Sequence, residues 1–216
     1  YPFVEWGILV SKIVAEQGGQ PRFPSHKWLL ELVKIFDSYP NNMWLSCHIC
    51  GKWVREICEG NWYCLEDPFL KPTFSEEVLL GIWDRIQLNF SPYVDRIDPD
   101  HFANQLNKEL ELGKPLSTRQ IIFQLKSFDE PVFVDIVDQV GSYSDGSSKV
   151  LPFFDISGGI GELPDNWPTP PNMYCGYAGG LSPDNLNQQL ILLEQIVGQQ
   201  TIWIDAETHV RSENDQ

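Results

Sequence analysis

Five polar residues stand where apolar runs of this chain stop: His48, Asn89, Gln124, Asp155 and Asp205. Side chains alternate along a strand, so residues two apart share a face. By that rule Ser46 goes with His48, Gln87 with Asn89, Gln120 with Gln124, and Phe153 with Asp155. Trp203 goes with Asp205 and Glu207. If these faces look into one interior, its rim carries donors, acceptors and titratable groups together. Such a ring is costly to bury unless it meets ligand or water. A carboxylate there acts as general acid or base, its pKa tuned by its surroundings. Asp155 and His48 are therefore the candidate catalytic pair, with Asn89, Gln124 and Asp205 as ligand-binding groups. The plainer alternatives are a structural histidine at His48 and a loop cap at Asp155.

A second feature is Gly179-Gly180-Leu181-Ser182-Pro183-Asp184-Asn185. Glycines let backbone N–H groups approach a ligand that side chains would block. Ser182 or Asp184 can cap the helix that follows, with Pro183 in its first turn. A helix N-terminus attracts anions, and barrel phosphates bind around the last two βα-loops. Gly179, Gly180 and Ser182 are the expected phosphate-binding residues.

These groups need elements to hold them. Strand-like runs are expected over Phe3–Ser11, Met43–Ile49, Arg85–Phe90 and Arg119–Leu125, and at the start of each of the segments Leu151–Gly161, Tyr174–Leu186 and Thr201–Glu207, which end in small or acidic residues. Helical spacing covers His26–Ser38, with Ser25 as N-cap, then Gly51–Cys58, Glu76–Trp83, Pro99–Leu112, Glu130–Val140 and Asp184–Val197. Residues 59–73 read as a loop. Alternation of strand and helix argues a parallel sheet, because parallel strands require crossovers. The expected fold is one α/β domain over 1–216: a (β/α)8 TIM-type barrel with seven recognisable strands, its first strand and last helix not among them.

The formal net charge is −15, which disfavours nucleic acid and anionic lipid as partners. No apolar run reaches the roughly 18 residues of a membrane span, and no leader pattern is visible. Five cysteines, an odd number, imply reduced thiols and a cytoplasmic setting. Cys47-His48-Ile49-Cys50 has zinc-like spacing, with Cys58 and Cys64 nearby, but no second clear ligand pair. Neither a metal nor a cofactor is expected.

Phe154-Asp155 followed by Gly158-Gly159-Ile160-Gly161, and Ala178-Gly179-Gly180-Leu181-Ser182-Pro183-Asp184-Asn185, resemble phosphoribosylanthranilate isomerase, one of the ribulose-phosphate-binding barrels. Gly7–Ser11 and then Gln20–Ser25 are similar to that family's second strand and its Arg-containing loop. The family's catalytic cysteine, at the end of its first strand, has no counterpart here. Its last loop is replaced by Asp205-Ala206-Glu207-Thr208-His209-Val210-Arg211, where Thr208 and Arg211 are the residues able to help hold a phosphate. The resemblance implies acid/base proton transfer on a small phosphorylated, sugar- or nucleotide-like molecule, as in an isomerase or lyase. The alternatives are a non-catalytic barrel that sequesters such a molecule and a barrel used for protein contact.

Overall fold

The computed structural model describes residues 4–11, 14, 17–39, 44–61, 83–89, 96–111, 120–143 and 146–211. Strands and helices alternate along it. The order is β1 (Glu5–Val10), α1 (His26–Ser38), β2 (Trp44–Ile49), α2 (Lys52–Cys58), β3 (Arg85–Leu88), α3 (Pro99–Glu111) and β4 (Gln120–Leu125). Then come α4 (Pro131–Val140), β5 (Val150–Phe154), β6 (Cys175–Ala178), α5 (Leu186–Val197) and β7 (Ile202–Asp205). The strands form one sheet in sequence order, and every neighbouring pair is parallel.

The helices start and stop for local reasons. Ser25 accepts the Trp28 N–H at 3.2 Å and opens α1, as expected. Leu29, Leu32 and Val33 then turn one stripe of α1 to the core. Pro131 occupies the first turn of α4, where a missing N–H costs nothing. Glu130, expected inside that helix, instead accepts the Lys126 and Ser127 N–H groups. Regular helix in α5 begins at Leu186, two residues later than expected. The turn before it is a reciprocal box: Asn185 N–H donates to Ser182 Oγ at 3.3 Å, and Ser182 N–H to Asn185 Oδ1 at 2.9 Å. Of the expected helix Glu76–Trp83, only Trp83 is described; it is buried and not helical. Phe90, Gly113, Cys64 and most of the expected loop 59–73 also lie outside the described residues.

The sheet has two different faces. Leu45, Ile86, Ile121, Phe123, Phe154 and Tyr177 point outward and make the main core with the helices. A smaller cluster of Ile122, Leu151, Phe153 and Ala178, with Trp203 against it, points inward. The sheet curls around this inner face into a half-barrel. Arg85 of β3 lies 4.5 Å from the Trp203 ring of β7, four strands away, so the two meet across the interior. Two inward glycines make room for large neighbours. A Cβ on Gly176 would stand 2.1 Å from the Trp203 indole, and one on Gly7 2.5 Å from the His48 imidazole.

Among the described residues no helix is long and apolar enough to cross a membrane.

Candidate functional site

A parallel strand ends where its side chain and the following loop face the same rim. His48, Gln124 and Asp205 stand at or next to the carboxyl ends of β2, β4 and β7, and Asn89 and Asp155 follow β3 and β5 directly. All five line one cavity of about 260 Å³, together with Gln87 and Cys50. The alternation rule therefore places these side chains on one face. Ion-pairing residues from two loops, Arg22 and Glu207, complete the wall. Glu207 is in phase with Asp205, as the alternation rule expects, whereas Arg22 was not expected there.

Asp155 is held firmly. Gln124 Nε2 donates to Oδ2 at 2.7 Å, while the Ser157 N–H and hydroxyl donate to Oδ1 at 3.1 and 2.7 Å. Ser157 Oγ in turn accepts the N–H groups of Gly159 and Gly161. Asp155 thus braces the glycine loop as well as lining the mouth.

Asp205 lies deep in the same mouth. Burial, and then the charge of Asp155, push its carboxyl up to about 6, against the opposing Arg85. It therefore changes protonation state near neutral pH. His48 behaves oppositely. Burial pulls its imidazole down to about 4, despite Glu5 and Glu207, so the ring is neutral at pH 7. A neutral ring accepts or donates one hydrogen bond and carries no charge into the mouth. Cys50 accepts from Asn89 Nδ2 at 3.0 Å, and Asn89 Oδ1 accepts from Gln87 Nε2 at 2.9 Å. Burial pushes the Cys50 thiol up to about 11, so it is no thiolate nucleophile at neutral pH.

Arg22 spans the mouth to Glu207, with Nε 2.8 Å and Nη2 2.7 Å from Oε1. Its φ of 77° is the single positive value for a non-glycine among the described residues. A backbone held there costs about 1–3 kcal/mol; it sits in a tight turn closed by Gln20 N–H to Phe23 O at 2.9 Å and Phe23 N–H to Gln20 O at 3.0 Å, to which the ion pair adds.

Gly179 and Gly180 line a second, smaller pocket with Gly159, Gly161 and Thr208, of about 30 Å³. That is room for about one water. The space a side chain would need at Gly180 is taken by protein: a Cβ would meet Leu163 N at 2.6 Å. Ser182 does not line this pocket, since its hydroxyl faces its own turn. Arg211 lines neither the mouth nor this pocket. It borders the cleft between β1 and β7, which shares Arg22, His48, Asp205 and Glu207 with the mouth, because the chain turns at Thr208–Val210.

Comparison with protein-family models, with curated proteins and with solved structures gives no match.

The zinc-like spacing is split by strand alternation. Cys47 packs in the outer core, whereas His48 and Cys50 face the mouth. Among the described residues no group of three or more His, Cys, Asp or Glu could hold a metal. Cys47, Cys50, Cys58 and Cys175 are not joined in disulfides.

Proposed function

We propose that this protein is an acid/base enzyme of the isomerase or lyase type, working at the mouth of a (β/α)8-type scaffold in a cytoplasmic setting. Its substrate is a small phosphorylated, hydroxylated molecule, sugar- or nucleotide-like, and it needs no metal or cofactor. The carrying observation is that Asp155 and Asp205 line one cavity with the neutral donors and acceptors His48, Gln87, Asn89 and Gln124. A carboxyl raised towards neutrality by burial beside a second carboxylate is suited to moving a proton at neutral pH. Asp205, titrating near 6, gives or takes the proton, and Asp155 sets its partner's charge. His48, Asn89 and Gln124 orient hydroxyls. The phosphate lies by Gly179, Gly180 and Thr208, where the loop 157–161 and the Glu162–Leu163 segment after it must move outward, because the pocket there is too small for it. The resemblance of the Gly158–Gly161 and Ala178–Asn185 segments to phosphoribosylanthranilate isomerase supports the same chemistry.

One observation favours a second reading, a barrel that binds such a molecule without converting it. Three donors already occupy the Asp155 carboxylate, as a purely structural brace would have them.

Thermal shift against inorganic phosphate, ribose 5-phosphate, glucose 6-phosphate and AMP tests the site first. A ligand at a hundred times its Kd adds about 2.7 kcal/mol, or about 5–11 °C in Tm for a chain this size. The hit is then incubated with wild type and with Asp205→Asn. Conversion by wild type alone supports the enzyme. Recovery of the compound unaltered from both supports the binder, and no shift from any compound sinks both readings.

A further inference from the structure

Three loops around the mouth are tied together in a chain. Arg22, after β1, pairs with Glu207, after β7. The two residues that follow Glu207 reach the loop after β5. The Thr208 hydroxyl donates to the Gly159 carbonyl at 3.3 Å, and His209 Nε2 to the Gly161 carbonyl at 2.8 Å. A carbonyl oxygen only accepts, so that ring nitrogen carries a proton. The two loops also touch, since a Cβ on Gly161 would stand 2.8 Å from the Thr208 side chain. Within the glycine loop, the Gly159 and Gly161 N–H groups donate to Ser157 Oγ at 3.3 and 3.4 Å. Ser157 donates in turn to Asp155 Oδ1, with its N–H and its hydroxyl. A continuous line of contacts therefore runs from His209 to the Asp155 carboxylate.

The same loop and the segment after it close the pocket at Gly179 and Gly180. Glu162 O and Leu163 N lie 2.9 and 2.6 Å from where Cβ atoms on those two glycines would stand. The pocket of about 30 Å³ has room for about one water, so a phosphate enters only when residues 157–163 lift. Their outer side meets solvent, with Ile160 65% exposed, so no core opens when they do. What the lift breaks is the line of contacts. Gly159 and Gly161 hang on Ser157 Oγ, so Ser157 goes with them.

We propose that the β7 loop latches the glycine loop shut, and that an entering phosphate both releases this latch and withdraws Ser157 from Asp155. Anion binding and the freeing of the carboxylate are then one movement. Asp155 Oδ1 turns free to accept from a ligand hydroxyl, while Gln124 keeps its hold on Oδ2. The three donors on Asp155 describe the latched state and not a permanent brace. His209, exposed and absent from the mouth, is a positioning residue that acts through Gly161. This inference rests on the phosphate site of the preceding reading and adds how that site controls Asp155.

The test is amide hydrogen exchange and NMR on the 216-residue chain as wild type, His209→Ala and His209→Gln. With no ligand, the amides of Ser157, Gly159 and Gly161 should exchange at least about threefold faster in His209→Ala, with those of α5 unchanged. His209→Gln keeps a side-chain N–H and should stay close to wild type. Inorganic phosphate, titrated at constant ionic strength, should move the amide signals of Ser157, Gly179 and Gly180 with one Kd. Loss of the latch populates the open state, so that Kd should be about two- to tenfold lower in His209→Ala, the contribution of one hydrogen bond. Equal exchange in wild type and His209→Ala overturns the proposal. Unchanged or weaker phosphate binding by that variant overturns it too, the weaker binding making His209 a direct ligand of the anion. Signals of Gly179 and Gly180 that move without Ser157 overturn the coupling and leave the phosphate site standing. No amide responding to phosphate overturns this inference and that site together.

Discussion

Arg85 of β3 grips the Glu5 carboxylate of β1 with two prongs, Nη2 at 2.6 Å and Nε at 2.8 and 3.0 Å, beneath the mouth. The pair is largely buried, at 12% and 17% side-chain exposure. It spans β2, passing Ser46, and its guanidinium lies over Trp203. Removing one partner of such a pair leaves an uncompensated charge and costs about 3–5 kcal/mol. Arg85→Met should lower Tm by about 6–20 °C. Glu5→Leu in the same chain should restore most of the loss. Equal Tm values for the single and double variants would show that the pair does not act as a unit.

Asp205 should make the protein less stable as pH rises. Its carboxyl is raised from 3.8 in the unfolded chain to about 6 in the folded one. Its contribution is therefore complete below about pH 4 and is lost as pH climbs through 6. Asp205→Asn should match wild type at pH 4 and exceed it at pH 7. The shift corresponds to at most about 3 kcal/mol, and partial exposure reduces that to about 1–2 kcal/mol. Urea unfolding at the two pH values measures it, and a gain that is the same at both would contradict the assignment.

His48 should act in the opposite sense. Its pKa falls from 6.5 to about 4 on folding. The stability it contributes is present above pH 6.5 and is lost as pH falls towards 4. Wild type should lose stability between pH 6.5 and 4.5, whereas His48→Gln should lose less. If the two unfolding profiles run parallel across that range, the imidazole is not buried as described.

Gly176 should tolerate no side chain. An added methyl would stand inside the Trp203 indole, which Phe153 stacks from another direction at 6.1 Å. Overpacking of this kind costs about 1–3 kcal/mol. Gly176→Ala should lower Tm by about 2–12 °C, and Trp203→Leu added to it should recover part of the drop. A neutral Gly176→Ala would mean that the indole has somewhere else to go.

Much of the scaffold is legible in the sequence because its signals are local. Ser25 before a 3–4 apolar spacing specifies α1, whereas the cap expected at Ser182 or Asp184 falls on Asn185, which Ser182 only braces. Period-two alternation places His48, Asn89, Gln124, Asp155 and Asp205 together, because in-register parallel strands keep the faces aligned. What stays hidden depends on contacts between distant segments. Nothing near Arg22 announces Glu207, 185 residues away. Gly179 and Gly180 look like a ligand cradle, but the segment at Glu162–Leu163 packs against them, and only the folded chain reveals it. Arg211 drops out of the mouth because a turn follows Glu207, and a run of polar residues gives no hint of that turn's direction. Arg85 and Gln87 had a usable signal, being in phase with Asn89.

The central claim is that the mouth moves a proton on its ligand. The direct measurement is NMR of the sugar phosphate identified by thermal shift, incubated with the protein in D2O at pH 6–7. Wild type should place solvent deuterium on the carbon beside the ligand's carbonyl, at a rate that falls at least about a hundredfold in Asp205→Asn, the usual worth of a general acid or base. Ligand that binds in the mouth and returns with no deuterium would contradict the claim and leave the protein a binding barrel.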